Sequence, residues 1–464
     1  MRARGALLVV LVGIVALALG SASGSYTGVA DRVQRGDAYR ATYLYSAAAD
    51  QYLQALSRQP LNPIVLLRLC DISLRREQLD EAEAYAAQAE RAGADRIEVA
   101  ECRARAADKR GQGRLAAAQW SIVAAARPAE QSAKLHLIEA YLAAHDWSAA
   151  QQTSQALRDA NPADPAASFY LAALLALDDP LRARPYLDGA GSAEAVALAA
   201  VLDEPLSLGN PSYRAISLGR VFLEHDRLPL AWRAFLAATT ENPRYPDAFA
   251  YLGITYDRMG EVALAAACLD RALELDPKSA LSLYLRGVYL SRRTDWVKAR
   301  VDLQRAAALD PDSAPVAFAL GRVLAEQGEY VAAETQFTRA LTREPDNLDW
   351  QLALAELYIG HLIRVAEKGV PAAQRAVDLA PDDARARDWL GWGLHLGGDD
   401  ARSESELREA IRLSPTLARA RLHLGNLLID VGRIEAGRAE LLRAAELDPR
   451  GAVGARARQL LGES

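Results

Sequence analysis

Cysteine is scarce in this chain of 464 residues: three occur, Cys70, Cys102 and Cys268, too few for a disulfide scaffold. Lysine is almost as rare, with five residues against 49 arginines. There is no basic excess either. The 54 Lys and Arg face 60 Asp and Glu, a net charge of −6. A face suited to a phosphate backbone is therefore missing, and nucleic acid is not an expected partner. The six histidines, His136, His145, His225, His361, His395 and His423, are scattered, with no carboxylate or cysteine at ligand spacing, which argues against a metal site. His395 and His423 fall in neighbouring segments, but no third ligand accompanies them. No glycine loop has the spacing that cradles phosphate. These absences leave a chain with no catalytic residues, no cofactor site and no metal site to nominate. What is present is 51% hydrophobic and 25% charged, the balance of a folded chain and not of a disordered one.

The N-terminus has its own pattern. Arg2 and Arg4 precede an apolar run over residues 6–19, and Gly20, Ser21, Ala22 and Ser23 follow. Basic start, apolar stretch and small-residue exit describe an export signal, cleaved after Ala22 or Ser23. Counted through Ala22, the apolar stretch is at the lower limit for a spanning helix, which wants about 20 residues. An uncleaved anchor with a cytoplasmic N-terminus is the other reading. No cysteine follows the run, so a lipid-modified N-terminal cysteine is excluded. Both readings place the body of the protein outside the cytoplasm, secreted, periplasmic or membrane-anchored. A membrane enters only through this segment, if it is uncleaved.

The rest of the chain repeats. Pro243, Pro277, Pro311, Pro345, Pro381, Pro415 and Pro449 are spaced by 34 residues, once by 36. Each follows an apolar-periodic stretch and reads as a helix stop. With the proline set at position 32, units begin at 212, 246, 280, 314, 348, 384 and 418. Position 8 is then Gly219, Gly253, Gly287, Gly321, Ala355, Gly391 and Gly425. Position 20 is alanine in the first four units, and position 27 is alanine throughout. Position 24 is bulky: Phe235, Leu269, Leu303, Phe337, Leu407 and Leu441. The pattern predicts two antiparallel helices of about 13 residues per unit, with small residues allowing close approach. Gly260, Gly328, Gly398 and Gly432 sit where the first helix should end, as C-caps. Looser units begin at 29, 63, 97 and 131, with Gly36, Cys70, Ala104 and Ile138 at position 8. Ile138 breaks the small-residue rule, so that helix pair should be splayed or shifted. Cys70 reads as core packing, as does Cys268. Cys70 and Cys102 lie in adjacent first helices, so a disulfide is open to them outside the cytoplasm.

These residues resemble the tetratricopeptide repeat family, whose signature is small at 8, large at 11, alanine at 20 and 27, and proline at 32. The unit from 246 matches nearly throughout, with Leu252, Gly253, Tyr256, Ala265, Ala272 and Pro277. The resemblance implies an all-α fold, an α-solenoid of tandem helix-turn-helix repeats coiled into a right-handed superhelix. The expected layout is a signal or anchor with a short linker over 1–28 and four divergent repeats over 29–164. An irregular helical connector over 165–211, rich in Pro and Gly, follows. Seven repeats then fill 212–451, and 452–464 form a cap.

In this family positions 2, 5, 9 and 12 of the first helix line a concave groove. Position 5 carries Ile216, Tyr284, Phe318 and Leu352, and position 9 carries Arg220 and Arg322. These six are the candidate protein-binding residues. The same row completing the core is the competing reading. Asn426 stands at position 9, but its neighbours do not complete the Lys/Asn carboxylate clamp known in some relatives. The expectation is a non-enzymatic extracytoplasmic scaffold that binds other proteins through its groove, assembling or tethering a cell-envelope complex. The alternative is a peptide-binding chaperone or secretion accessory of broad specificity. No motif names the partner.

Overall fold

The computed structural model describes residues 28–189 and 191–462. Among these no strand occurs, and the chain is a succession of short helices. The expected signal or anchor lies outside the described residues. No described helix is long and apolar enough to cross a membrane.

The chain divides into two compact units: Met1–Ala126 together with Tyr358–Ser464, and Arg127–Leu357. The first unit opens with α1 (Val29–Ala41), α2 (Tyr45–Leu56), α3 (Pro63–Arg75), α4 (Leu79–Arg91), α5 (Arg96–Lys109) and α6 (Gly113–Ala126). The second holds α7 (Gln131–Ala143), α8 (Trp147–Ala160) and α9 (Pro165–Leu175). Short pieces follow: α10 (Pro180–Ala183), a 3-10 turn (Arg184–Leu187), α11 (Ala193–Asp203) and α12 (Pro205–Gly209). Regular pairs resume with α13 (Pro211–Glu224), α14 (Leu228–Glu241), α15 (Pro246–Arg258), α16 (Val262–Leu275), α17 (Ala280–Arg292) and α18 (Trp296–Leu309). Then come α19 (Ala314–Glu326), α20 (Tyr330–Arg343) and α21 (Leu348–Gly360), which runs across the division. The first unit resumes with a π-helical turn (Val365–Gly369), α22 (Val370–Leu379), α23 (Ala384–Leu396), α24 (Asp400–Leu413), α25 (Ala418–Asp430), α26 (Ile434–Leu447) and α27 (Ala452–Leu461). Within each unit consecutive pairs stack as an α-solenoid.

The close approach inside a pair has one recurring cause. A Cβ added at Gly253 would stand 2.7 Å from Leu269, at Gly287 2.6 Å from Leu303, and at Gly321 2.8 Å from the Phe337 ring. Gly219 faces Phe235, Gly391 faces Leu407 and Gly36 faces Tyr52 in the same way. Position 8 is thus empty because position 24 fills it, and each of these position-24 side chains is buried. The pair α7–α8 inverts the rule: Ile138 is fully buried at position 8, and position 24 is the small, fully buried Ser154. Volume is conserved across the contact, so the helices stay packed, over a smaller shared interface than their neighbours.

The turn is equally uniform. Position 15 takes a left-handed backbone whether it is glycine, as at Gly260 (φ 84°), or not, as at Thr294 (φ 58°). Its amide and the next one close onto carbonyls of the first helix, Glu261 N–H reaching the Tyr256 carbonyl at 2.9 Å. The expected helix ends at Gly260, Gly328, Gly398 and Gly432 are found there, with φ between 78° and 88°.

In the 165–211 segment, α9 begins 34 residues after the unit at 131 and keeps its register. Only its partner helix is replaced, by the short pieces α10, the 3-10 turn, α11 and α12, which start at Pro180, Arg184, Ala193 and Pro205.

Two further features hold the first unit together. Cys70 on α3 and Cys102 on α5 form a disulfide, with Cα atoms 6.6 Å apart. Plain core packing of Cys70 is thereby corrected: first helices of consecutive repeats run side by side, which brings positions 8 and 6 within bridging reach. The first and last repeats also meet. Leu447 packs against the cluster of Tyr45, Ala48 and Tyr52. Ser46 N–H donates to Glu446 Oε1 at 2.9 Å, Arg450 donates to the Glu77 carbonyl at 2.9 Å, and Arg421 lies over the Tyr43 ring at 5.4 Å. Within the first unit these two segments thus cover apolar surface of one another.

The contact between positions 8 and 24 generates a sign-changing prediction. Gly287→Ala should destabilise the chain by about 1–3 kcal/mol, overpacking against Leu303 exceeding the roughly 1 kcal/mol gain in helix propensity. In a Leu303→Ala background the same change should stabilise, since the added methyl then enters a cavity. Thermal unfolding of the four proteins of the cycle checks this. Additive effects would show that the close approach is not what selects glycine.

Candidate functional site

The first helices of three successive repeats in the second unit, α13, α15 and α17, together with the start of α19, enclose a hollow of about 390 Å³. Local sequence sets these helices. Asn210 caps α13 by accepting from Tyr213 N–H at 3.0 Å, with Pro211 in the first turn, and Ser279 caps α17 by accepting from Ser282 N–H at 3.1 Å. Equal repeat lengths then bring the same helical face of each to one side.

The hollow is lined by Arg220 and Leu223 of α13, Tyr251 of α15, Tyr284 and Leu285 of α17, and Asp310. Tyr251 is held in place by parallel stacking on Phe235, ring centres 5.2 Å apart. Burial pushes the Tyr251 and Tyr284 hydroxyls above their ordinary pKa, so both stay neutral and present a polar tip on an apolar wall. Arg220 is exposed at the rim and, among the described residues, makes no hydrogen bond or ion pair.

The six residues singled out in sequence separate into three fates. Arg220 and Tyr284 share this hollow. Ile216 and Leu352 are each 7% exposed. Ile216 packs with Ala215, Ala238 and Ala248 between repeats, so neither is offered to a ligand. The physical reason is that position 5 faces the adjoining repeat wherever neighbouring alanines let it sink. Phe318 is half-buried against Trp350 at 5.6 Å and Phe337 at 5.5 Å, and Arg322 is exposed outside the hollow. Sequence reasoning missed Tyr251, at position 6, and Leu223 and Asp310. An aromatic at position 6 beside a bulky position 24 is the signal that could have found Tyr251.

Sequence models described as tetratricopeptide repeat match residues 33–97 and 252–314, 292–357, and 418–450. Comparison with curated proteins found no match. Among solved structures, the chain is similar to the APC/C hetero-tetramer Cut9–Hcn1, at 14% identity and TM-score 0.44, covering 92% of this chain and 89% of that one. It is similar to yeast Tom70, at 16% identity and TM-score 0.40, covering 94% and 95%. A third is pilF of Pseudomonas aeruginosa, at 19% identity and TM-score 0.39, covering 47% of this chain and 97% of that one.

In the first unit, two histidines tie neighbouring repeats. His423 Nδ1 lies 2.7 Å from Asp388 Oδ1, and Arg419 Nε donates to Asp388 Oδ2 at 2.6 Å. His395 lies between Asp400 at 2.7 Å and Asp430 at 3.1 Å. No group of three or more His, Cys, Asp or Glu among the described residues could hold a metal ion. Asp388 is fully buried; burial alone would raise its pKa, but His423 and Arg419 prevail and hold it below the ordinary carboxylate value. A depressed carboxylate pKa contributes stability that is present above the unfolded value of about 4 and lost as pH falls through the folded one. Asp388→Asn should therefore lower the melting temperature at pH 7, because the amide removes the charge and offers one acceptor oxygen where His423 and Arg419 use two. The difference from wild type should shrink as pH falls below about 4. A gap that is constant across that range would show that the charge of Asp388 is not the source.

Proposed function

We propose that this chain, which belongs to the tetratricopeptide repeat family, is a non-enzymatic scaffold working outside the cytoplasm, where it assembles or tethers a cell-envelope complex. Protein–protein interaction is its business. The observation that carries the reading is the hollow of α13, α15 and α17. Two neutral tyrosines, leucine walls and an unengaged guanidinium line it across three repeats, together with Glu224 and Asp310. A segment of a partner could place an apolar side chain against Tyr251 and Tyr284 and a hydrogen-bond acceptor against Arg220. Rigid repeats lose little entropy on binding, so the ordering cost falls on the partner. Two features support a location outside the cytoplasm: the basic and apolar N-terminal sequence, and the Cys70–Cys102 disulfide, a bond that oxidising compartments permit.

Two measurements test these statements. A photo-crosslinking residue at Tyr284 in the native host, with exposed Val297 on α18 as control, should capture one dominant envelope protein from position 284 only. Capture of many unrelated exported proteins would point to a broad chaperone instead. Equal capture from both positions, or none, would sink the groove. Tyr284→Ser should weaken the captured interaction by about tenfold.

For location, peptide mass spectrometry of the protein isolated from its host with free thiols blocked should show Cys70 linked to Cys102. Reduction should destabilise the chain by about 2–4 kcal/mol, the range for loops of this size. Finding both thiols free in the isolated protein would contradict the proposed location.

A further inference from the structure

A second hollow in the same unit, of about 520 Å³, lies between α7, α9 and the start of α11. Its lining repeats the register of the first: Leu135 and Glu139 stand at positions 5 and 9 of the unit from 131, and Phe169 and Tyr170 at positions 5 and 6 counted from 165. It differs in having a third wall. The pieces that replace the missing second helix bring Ser192 and Glu194 to its side, and Arg227 closes it.

The polar floor is preorganised. Arg227 grips Glu194 with two nitrogens, at 2.9 and 3.2 Å, and reaches Glu139 Oε1 at 2.9 Å and the Tyr170 hydroxyl at 3.2 Å. The Tyr170 hydroxyl donates to the same Glu139 oxygen. The guanidinium also lies over the Phe169 and Tyr170 rings, at 5.7 and 5.6 Å. Its hydrogen-bonding edge is thus largely committed, and it neutralises only one of two carboxylates. Glu139 keeps its second oxygen, Oε2, without a partner among the described residues, on a side chain 52% exposed. Beside it stand the half-buried Leu135 and the rings of Phe169 and Tyr170.

Charge over the whole unit points the same way. Residues 127–357 hold 31 acidic against 22 basic side chains, net −9, while the remainder of the chain is +3, which together give −6. An anion entering the second hollow would meet two carboxylates and a guanidinium already engaged by both of them, with the exposed imidazole of His136 also on the lining. A cation would meet an oriented carboxylate, an aromatic wall and a favourable long-range field.

We propose that the α7–α9–α11 hollow seats a Lys or Arg side chain of a peptide segment in which basic and apolar residues alternate. The inference rests on the groove reading above and adds the class of partner to it. Glu139 Oε2 receives the cationic head, and the stem lies along Leu135 and Phe169.

The test uses the full chain and two fluorescein-labelled peptides, one alternating Leu and Lys, the other alternating Leu and Glu, read by fluorescence anisotropy over a range of salt. The Leu/Lys peptide should bind at least tenfold tighter, with an affinity that falls as salt rises. Glu139→Gln keeps the acceptor for Tyr170 and Arg227 but removes the charge. It should weaken the Leu/Lys peptide about threefold to tenfold and flatten the salt dependence. Leu135→Asn, at the half-buried wall, should weaken it without altering the salt slope. Equal or tighter binding of the Leu/Glu peptide, no binding of the Leu/Lys peptide, or an unchanged affinity and salt slope in a folded Glu139→Gln protein would each overturn the proposal. Capture at Tyr284 is read separately, so a groove that binds a partner of another class remains distinguishable from a groove that binds nothing.

Discussion

Everything in this structure depends on one steric constraint inside each helix pair: what position 24 fills, position 8 must vacate. Gly287 under Leu303 and Gly321 under Phe337 show it in its common form, and Ile138 over Ser154 shows it reversed. The constraint fixes how closely the two helices of a pair approach, which sets how the next pair stacks and where its first helix lies. The hollow at Tyr251 and Tyr284 exists because three consecutive pairs, α13–α14, α15–α16 and α17–α18, obey the same form of it. Repeats of this kind draw their stability from local and nearest-neighbour contacts, so the constraint is met anew in every unit.

That repetition is why the fold was legible in sequence. A contact present once cannot be told from chance. Glycine or alanine at position 8 with a bulky residue at 24, recurring every 34 residues, implies the same helix pair each time. Boundaries of the helices and the left-handed turns at Gly260 and Gly328 followed from the same register. Less of the site was legible. Burial at position 5 depends on what the adjoining repeat offers: against Ala238 and Ala248 Ile216 sinks into the seam, while Tyr284 reaches the hollow. Nor does periodicity speak about contacts between distant segments. Ser46 and Glu446 are 400 residues apart, and nothing local at either position announces their meeting. Proline and glycine in 165–211 point to short pieces, but hide that α9 remains in register and forms a wall of the second hollow.

The rarity of lysine takes on a structural sense. Arginine is what joins one repeat to the next. Arg292 and Arg293 converge on Asp257, only 2% exposed on its side chain, from the following repeat. Arg258 reaches back to Asp226 and the Leu223 carbonyl, Arg105 to Asp71, and Arg433 to Glu404. Arg286 clasps Asp302 of its own repeat with two nitrogens, at 2.7 and 3.1 Å, and reaches Asp270 of the preceding repeat at 3.0 Å. A planar fork satisfies two acceptors at fixed angles, which a lysine ammonium on a flexible stem does not. The exposed ones among these pairs, such as Arg258–Asp226, contribute about 0–1 kcal/mol each. Their consequence is angular: a guanidinium held on two sides, as Arg286 is by Asp302 and Asp270, resists rotation of one repeat against the next.

Angular rigidity, in turn, decides what sort of binding surface the second unit can be. A groove whose walls are fixed by position-8 contacts and arginine rungs cannot close around a ligand. As the binding surface proposed above, it would select a ligand that already fits. Selection of that kind needs groups held ready in advance. Tyr251 stacked on Phe235 and Glu139 held by Tyr170 and Arg227 are such groups. Under the two proposals they would make different demands on the occupant: the first hollow would ask for apolar bulk near an acceptor, the second for a cation near apolar bulk. A segment meeting both would be read along its length, by spacing as well as by composition. Two weak seats on one rigid frame gain from each other, because the second contact forms without a new loss of translational freedom.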